Sequence, residues 1–128
     1  MERTPHPMNA EGDFYVENDC CTMCGVPFVM APNHFGSLED ARGIEHCYVK
    51  RQPETSEEVG VMIGAMMSAD LRCIRYRGTD RLMQLQLVIH GESENCDFLA
   101  PDLQGNPIEA GIRAKQELGA LTSENRTA

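Results

Sequence analysis

Three of the six cysteines lie within one short stretch, Cys20-Cys21-Thr22-Met23-Cys24, and the others are Cys47, Cys73 and Cys96. Thiolates bind zinc and iron–sulfur clusters, and a Cys-x-x-Cys pair is also typical of thiol redox sites. Metal centres of these kinds need about four donors around one point. The chemistry of the stretch therefore depends on which donors the rest of the chain can bring to Cys21 and Cys24.

The charge of the chain limits its partners. It has 128 residues, with 20 acidic and 11 basic side chains, and a net charge of -9. This length suits a single folded domain. A polyanion would be repelled by this excess of carboxylates, so nucleic-acid binding is not expected. The charge suits a basic protein partner, or simply keeps the chain in solution.

The sequence also predicts where the chain works. The first residues contain no apolar core of the length a signal peptide needs, and no segment approaches the about 20 apolar residues of a membrane span. These features predict a cytoplasmic protein without membrane contact, where thiols stay reduced. The cysteines are then expected to be buried core residues, metal ligands or redox groups.

Apolar spacing predicts a mixture of strands and helices. Alternation predicts short strands at 13–17, 44–52 and 72–78, whereas the polar stretch 36–43 is expected to be a loop. A brief helix is expected at 26–30, before Pro32. Residues 1–12 are expected to form a flexible arm, 13–100 an α+β domain, and 101–128 a partly disordered extension with a weak helix opened by Pro107.

Two longer helices carry clear start signals. Thr55 and Glu58 form a capping box, and Thr79-Asp80 begins a second helix that runs to about His90 and stops at Gly91. The methionines of the first helix are expected to fill the core rather than bind a ligand. The side chains expected to be buried are Val59, Met62, Ile63 and Met66 in the first helix and Leu82, Leu85 and Ile89 in the second.

The cysteine run is followed by Ala31-Pro32 and Phe35, and Cys73-Ile74 comes later in the chain. With these residues the stretch 17–78 resembles the small bacterial single-cluster ferredoxins. Ala31-Pro32 and Phe35 match the Ala-Pro-x-x-Phe that follows the cysteine run of that family, and Cys73-Ile74 matches the end of its later Cys-Pro-x-x-Ala/Cys-Ile motif. The resemblance covers about half of the chain. It implies an α+β fold with a small ferredoxin-like sheet, two main helices packed on it and, here, an additional C-terminal segment.

The resemblance carries only half of the cluster ligands. The first two ligand positions fall on Cys21 and Cys24, but the third falls on Pro27 and the fourth on Ala69, neither of which has a donor atom. Two thiolates are too few for an ordinary four-iron cluster. An iron–sulfur centre would need Cys20, Cys47 or Cys73 as replacement ligands. If these cysteines do complete a cluster, the alternative function is that of an electron-transfer ferredoxin.

Two further alternatives use the same thiols. In a zinc site, Cys21 and Cys24 would form half of a knuckle, and His46 with Cys47 would supply the other half. In a redox site, Cys21 and Cys24 would exchange between dithiol and disulfide. Against these stands the simpler reading that all six thiols are small buried side chains and that His46 is a partly buried strand residue.

The sequence therefore predicts a binding protein rather than an enzyme. No hydrolase, metalloprotease or phosphate-loop motif is present. With an eroded cluster site, the chain is expected to bind no cofactor and to act as an acidic protein-binding module of the inhibitor, immunity or adaptor type. Negative charge would steer a basic partner towards it.

Overall fold

The computed structural model describes residues 4–18, 20, 26–69 and 72–127, with side chains described as far as Leu121. The fold is α+β, with four helices and two small antiparallel sheets in this part of the chain. It divides into two compact units, residues 1–77 and residues 78–128. Each unit has its own buried side chains.

The first unit contains both sheets. Its elements in chain order are β1 (Phe14–Val16), α1 (Val26–Met30), β2 (Phe35–Glu39), β3 (Glu45–Val49), α2 (Ser56–Ser68) and β4 (Ile74–Tyr76). Strand β1 pairs with β4, with Tyr15 opposite Arg75, and β2 pairs with β3, with Ser37 opposite Cys47. The unit is thus a strand–helix–strand arrangement that occurs twice, with the two outer strands paired and the two inner strands paired.

Helix α2 begins at the predicted capping box. The Glu58 N–H donates to Thr55 Oγ1 at 3.1 Å, and the Glu58 carboxylate reaches back to accept from the Glu54 N–H at 2.9 Å. The predicted stripe of Val59, Met62, Ile63 and Met66 is buried, together with Ala65. The capping box therefore predicted where this helix begins, and the apolar spacing predicted its buried side.

Residues 4–12, which we expected to belong to a flexible arm, make many hydrogen bonds with the sheets. The Asn9 Oδ1 accepts from the N–H groups of Val16 and Val49 at 3.2 and 2.9 Å, and its Nδ2 donates to the Val16 carbonyl at 2.9 Å. The Gln52 side chain bonds both backbone groups of Phe14. An asparagine that stands in for backbone partners leaves no periodic signal in the sequence.

The expected loop at 36–43 is wrong over its first half, because Gly36 to Glu39 belong to β2. Gly36 and the polar residues that follow it suggested a turn. In the structure the glycine instead makes room for Tyr48, since a Cβ at Gly36 would stand 2.5 Å from its ring. The turn itself is confined to Asp40–Gly43, where Gly43 has a φ of 80°.

The second unit consists of two helices and the connection between them. Helix α3 (Arg81–Ile89) is capped by Asp80, whose carboxylate accepts from the Met83 N–H at 2.9 Å, and α4 covers Pro107–Thr127. Between them lie two short 3₁₀ turns, Ser93–Asn95 and Pro101–Leu103. The core is formed by Leu85, Val88, Leu103, Ala110 and Ala114.

The expected inner face of α3 is correct at Leu85 and wrong at Leu82, which is 47% exposed. The helix buries Gln84 instead. Its amide donates to the carbonyls of Gly78 and Phe98 and accepts from the Ala100 N–H, so that the connection after α3 is held by a buried polar side chain. Apolar spacing alone cannot indicate such a residue.

One arginine joins three parts of the second unit. The Arg81 guanidinium donates two bonds to Glu117 on α4, at 2.8 and 2.7 Å, and two to Asp102, at 2.9 and 2.7 Å. These bonds raise the pKa of Arg81 above its usual value and lower the pKa of both carboxyls. Bidentate pairs of this kind fix orientation as well as charge.

Candidate functional site

Two of the cysteines named as candidate ligands are joined to each other. Cys20 and Cys73 form a disulfide with a Cα–Cα distance of 5.6 Å, which is usual for such a bond. It connects the turn after β1 to the residue before β4, beside the bond from the Glu17 N–H to the Cys73 carbonyl. This pairing differs from our expectation that all six thiols are reduced and buried, and neither sulfur can act as a thiolate ligand while the bond persists.

Of the remaining candidate ligands, the structure describes Cys47 and His46. Cys47 is buried on β3. Cys96, which was not a candidate, is buried in the second unit. His46 is also buried, but its Nε2 lies 2.9 Å from Asp40 Oδ2, and this bond is the main reason why the pKa of Asp40 is far below its usual value. Cys21 and Cys24 lie outside the described residues.

The positions that should carry the other cluster ligands offer none. Pro27 is buried in α1, and Ala69 ends α2, where its N–H donates to the Ala65 carbonyl. Within the ranges that the structure describes, no group of three or more His, Cys, Asp or Glu side chains could hold a metal ion. The described residues therefore do not fit a zinc ion or an iron–sulfur cluster, and the cofactor content of the chain stays a prediction.

A different feature stands out on the surface of the first unit. Helices α1 and α2 pack against each other and expose a group of large apolar side chains, each between 44% and 77% accessible. We call this group the α1–α2 face; it consists of Phe28, Val29, Met30, Val61 and Met67. The Met30 methyl carbon bridges the two helices, since it lies 4.0 Å from the position that a Cβ of Gly64 would occupy.

The outer side of α2 carries no polar residue over two turns. The exposed positions between Glu57 and Ser68 are Gly60, Val61 and Met67, and the half-buried Gly64 lies among them. All four fall within about a third of the helix circumference. A surface helix normally presents charged and polar side chains on this side. Because the opposite side of α2 is the core stripe, this helix is apolar all round, which is typical of helices covered on both sides.

A pocket lies at the edge of the α1–α2 face. It has a volume of about 290 Å³, slightly below the usual range of small-molecule sites. Four of its lining residues are apolar, namely Met30, Ala31, Pro32 and Val61, and we call them the apolar wall. The other five are polar, namely Asn33, His34, Arg51, Glu57 and Glu58, and we call them the polar wall.

The polar wall is organised around one ion pair. Arg51 Nη2 lies 2.8 Å from Glu58 Oε2, and this bond, with the bond from the Glu54 N–H, lowers the pKa of Glu58. His34 is buried, and its Nδ1 lies 2.8 Å from the Arg51 carbonyl. A carbonyl can only accept, so Nδ1 carries a proton and donates it to this bond. Glu57 is exposed at the rim.

Comparisons of the chain with protein families, characterised proteins and solved structures gave no match. No helix in the described part of the chain is both long enough and apolar enough to cross a lipid bilayer. The resemblance to ferredoxins, the location and the partner class therefore remain predictions. The features that do the most to define a site are the α1–α2 face and the pocket at its edge.

Sequence reasoning missed this site for a physical reason. The stretch Val59–Met67 is apolar throughout, so its helical spacing indicated the buried stripe but could not show that the other side is uncovered. One signal was present in the sequence. The predicted helix has two glycines and no charged residue between Glu58 and Asp70, whereas a surface helix normally carries charged residues on its solvent side.

Proposed function

We propose that the chain is a non-catalytic protein-binding module of the inhibitor, immunity or adaptor type, and that it docks a basic protein on the α1–α2 face. The observation that carries the proposal is the outer side of α2, where Gly60, Val61 and Met67 are exposed without a polar residue among them. Exposed apolar patches on soluble domains are characteristic of interaction sites. Small residues such as Gly60 also allow a partner's backbone to approach closely.

The proposal keeps the resemblance to ferredoxins and treats the cluster site as eroded. Its support is the order of elements in the first unit, the thiol-rich sequence between β1 and α1, and the absence of donor atoms at Pro27 and Ala69. In this proposal the fold is a scaffold that no longer holds a cluster, and the α1–α2 face is the binding surface.

Charge favours a basic partner over a second copy of the chain. The net charge is -9, and Glu54 and Glu57 are exposed beside the face, whereas Arg51 is paired with Glu58. Two such surfaces would repel each other. A positively charged partner would be attracted, and its association rate would rise at low ionic strength.

The proposal is tested in two stages. A photo-crosslinking amino acid at position 29 in the native cells identifies the bound protein, which is then purified and titrated against the whole chain. Val29→Asp places a charge at a position that is 77% exposed, and Ile108→Asp is the matched control in the second unit, at 75% exposure. We expect Val29→Asp to weaken binding by about tenfold or more and the control by less than about twofold.

Three results would contradict this proposal. Equal effects of both substitutions would remove the α1–α2 face from the interface. Sedimentation showing a dimer that Val29→Asp dissociates would assign the face to a second copy of the chain. Flotation with vesicles of neutral and anionic lipid, lost in Val29→Asp, would assign it to a membrane surface.

A further inference from the structure

The pocket beside the α1–α2 face has the shape and chemistry of a side-chain site. Its lining combines the apolar wall, which includes Met30 and Val61, with the polar wall, which includes His34 and Glu57. A ligand that fills it must therefore be apolar along one part and polar at its end. Its volume of about 290 Å³ suits one long side chain better than a cofactor.

We propose that this pocket receives one lysine or arginine side chain of the partner and thereby selects a basic protein. The inference rests on the proposed function, because it names the group by which the partner would be recognised. Lysine and arginine carry an alkyl stem that packs on apolar surface while the charged head stays in a polar environment. The two walls of the pocket provide these two environments.

The polar wall offers acceptors for the cationic head. Glu57 is exposed and has no ion pair within the described ranges, so its carboxylate is available to an incoming cation. A charge-assisted bond to a carboxylate is stronger than a bond between neutral groups.

The same wall is poorly suited to an anion. Arg51 is the pocket's arginine, but Glu58 already holds it at 2.8 Å. The N-terminus of α2 is also occupied, since the Glu58 N–H donates to Thr55 and acidic residues fill the first turn. With Glu57 and Glu58 both on the wall, the local charge is negative even after Arg51 is counted.

The test uses the whole chain and a matched pair of small probes, N-butylguanidinium and the neutral N-butylurea. Carbon-13 methyl spectra follow Met30 and Val61 in the pocket, with the exposed Met8 methyl as the control for non-specific contact. We expect the cation to cause saturable shifts at Met30 and Val61 with a dissociation constant on the order of 10 mM. The urea is expected to cause none.

Variants at matched positions then test the carboxylate. Glu57→Gln removes an exposed charge in the first turn of α2, and Glu109→Gln removes one in the first turn of α4. We expect Glu57→Gln to weaken binding of N-butylguanidinium by about threefold or more, and Glu109→Gln to leave it unchanged. Equal shifts with both probes, or equal affinities of both variants, would overturn the assignment of a cation site.

These measurements separate the inference from the proposed function. If the probes bind equally while Val29→Asp still disrupts the partner complex, the binding face stands and the cation pocket is wrong. If the cation binds through Glu57 while Val29→Asp and Ile108→Asp act alike on the complex, the pocket stands and the proposed face is wrong.

Discussion

Asn9 does for β1 and β3 what a neighbouring strand would do. Its amide supplies one acceptor to two backbone N–H groups and one donor to a carbonyl, all within 3.2 Å. We expect Asn9→Ala to lower the free energy of unfolding by about 2 kcal/mol, because it leaves backbone groups of Val16 and Val49 without this partner. Urea denaturation followed by far-UV circular dichroism measures the change.

Asn18→Ala is the control, because the Asn18 side chain is exposed and, among the described residues, its bond is the one from its backbone N–H to the Thr4 carbonyl. We expect it to change stability by less than about 0.5 kcal/mol. Equal effects of the two substitutions would show that Asn9 does not hold the strands together. The same bonds explain why a segment that reads as a loose arm in the sequence lies against the sheets.

Local signals predicted the elements whose determinants lie within a few residues of each other. The capping box at Thr55–Glu58 and the cap at Asp80 gave the starts of α2 and α3, and Val26–Met30 was predicted as a helix. Strand β2 was missed because its glycine, Gly36, makes room for the ring of Tyr48, which is 12 residues away in the chain. The exposed side of α2 was missed because exposure depends on what the rest of the fold leaves uncovered.

A substitution at Gly60 of α2 should affect stability and partner binding in opposite directions. Gly60 is exposed, and a Cβ added there would meet nothing within 4 Å, so Gly60→Ala should raise the free energy of unfolding by about 0.5–1 kcal/mol. Gly111→Ala in α4 is the matched control, since its Cβ also meets nothing. Both should raise the thermal midpoint. Only Gly60→Ala should weaken the complex with the crosslinked partner, because the added methyl holds the partner away from α2.

A destabilising effect of Gly60→Ala in the isolated chain would contradict the helical environment described for this residue. Unchanged partner binding by a stabilised Gly60→Ala variant would mean that no partner approaches α2 closely. The two readouts together distinguish a glycine kept for contact from one that merely weakens the helix.

At the scale of the whole chain, the disulfide and the predicted location oppose each other. Cys20 and Cys73 are bonded, whereas we expected a cytoplasmic protein, an environment in which disulfides are rare and usually transient. The acidic charge and the α1–α2 face are compatible with either environment. The pairing itself is what can be measured.

We expect the disulfide to stabilise the first unit substantially, because it closes a loop with a sequence separation of 53. On the chain-entropy estimate it contributes about 4 kcal/mol, so a reductant should lower the urea midpoint strongly. The Cys20→Ser/Cys73→Ser double variant is the control, since it should already be destabilised and should not respond to reductant.

A non-reducing tryptic digest should contain Cys73–Arg75 linked to the peptide that carries Cys20, and fragmentation should place the bridge at Cys20 rather than at Cys21 or Cys24. Trapping thiols in intact cells before the digest shows whether the bond exists where the protein works. An unlinked peptide from the purified, air-exposed protein, or a midpoint that ignores the reductant, would show that Cys73 is one more buried thiol and would restore the expectation of a reduced chain.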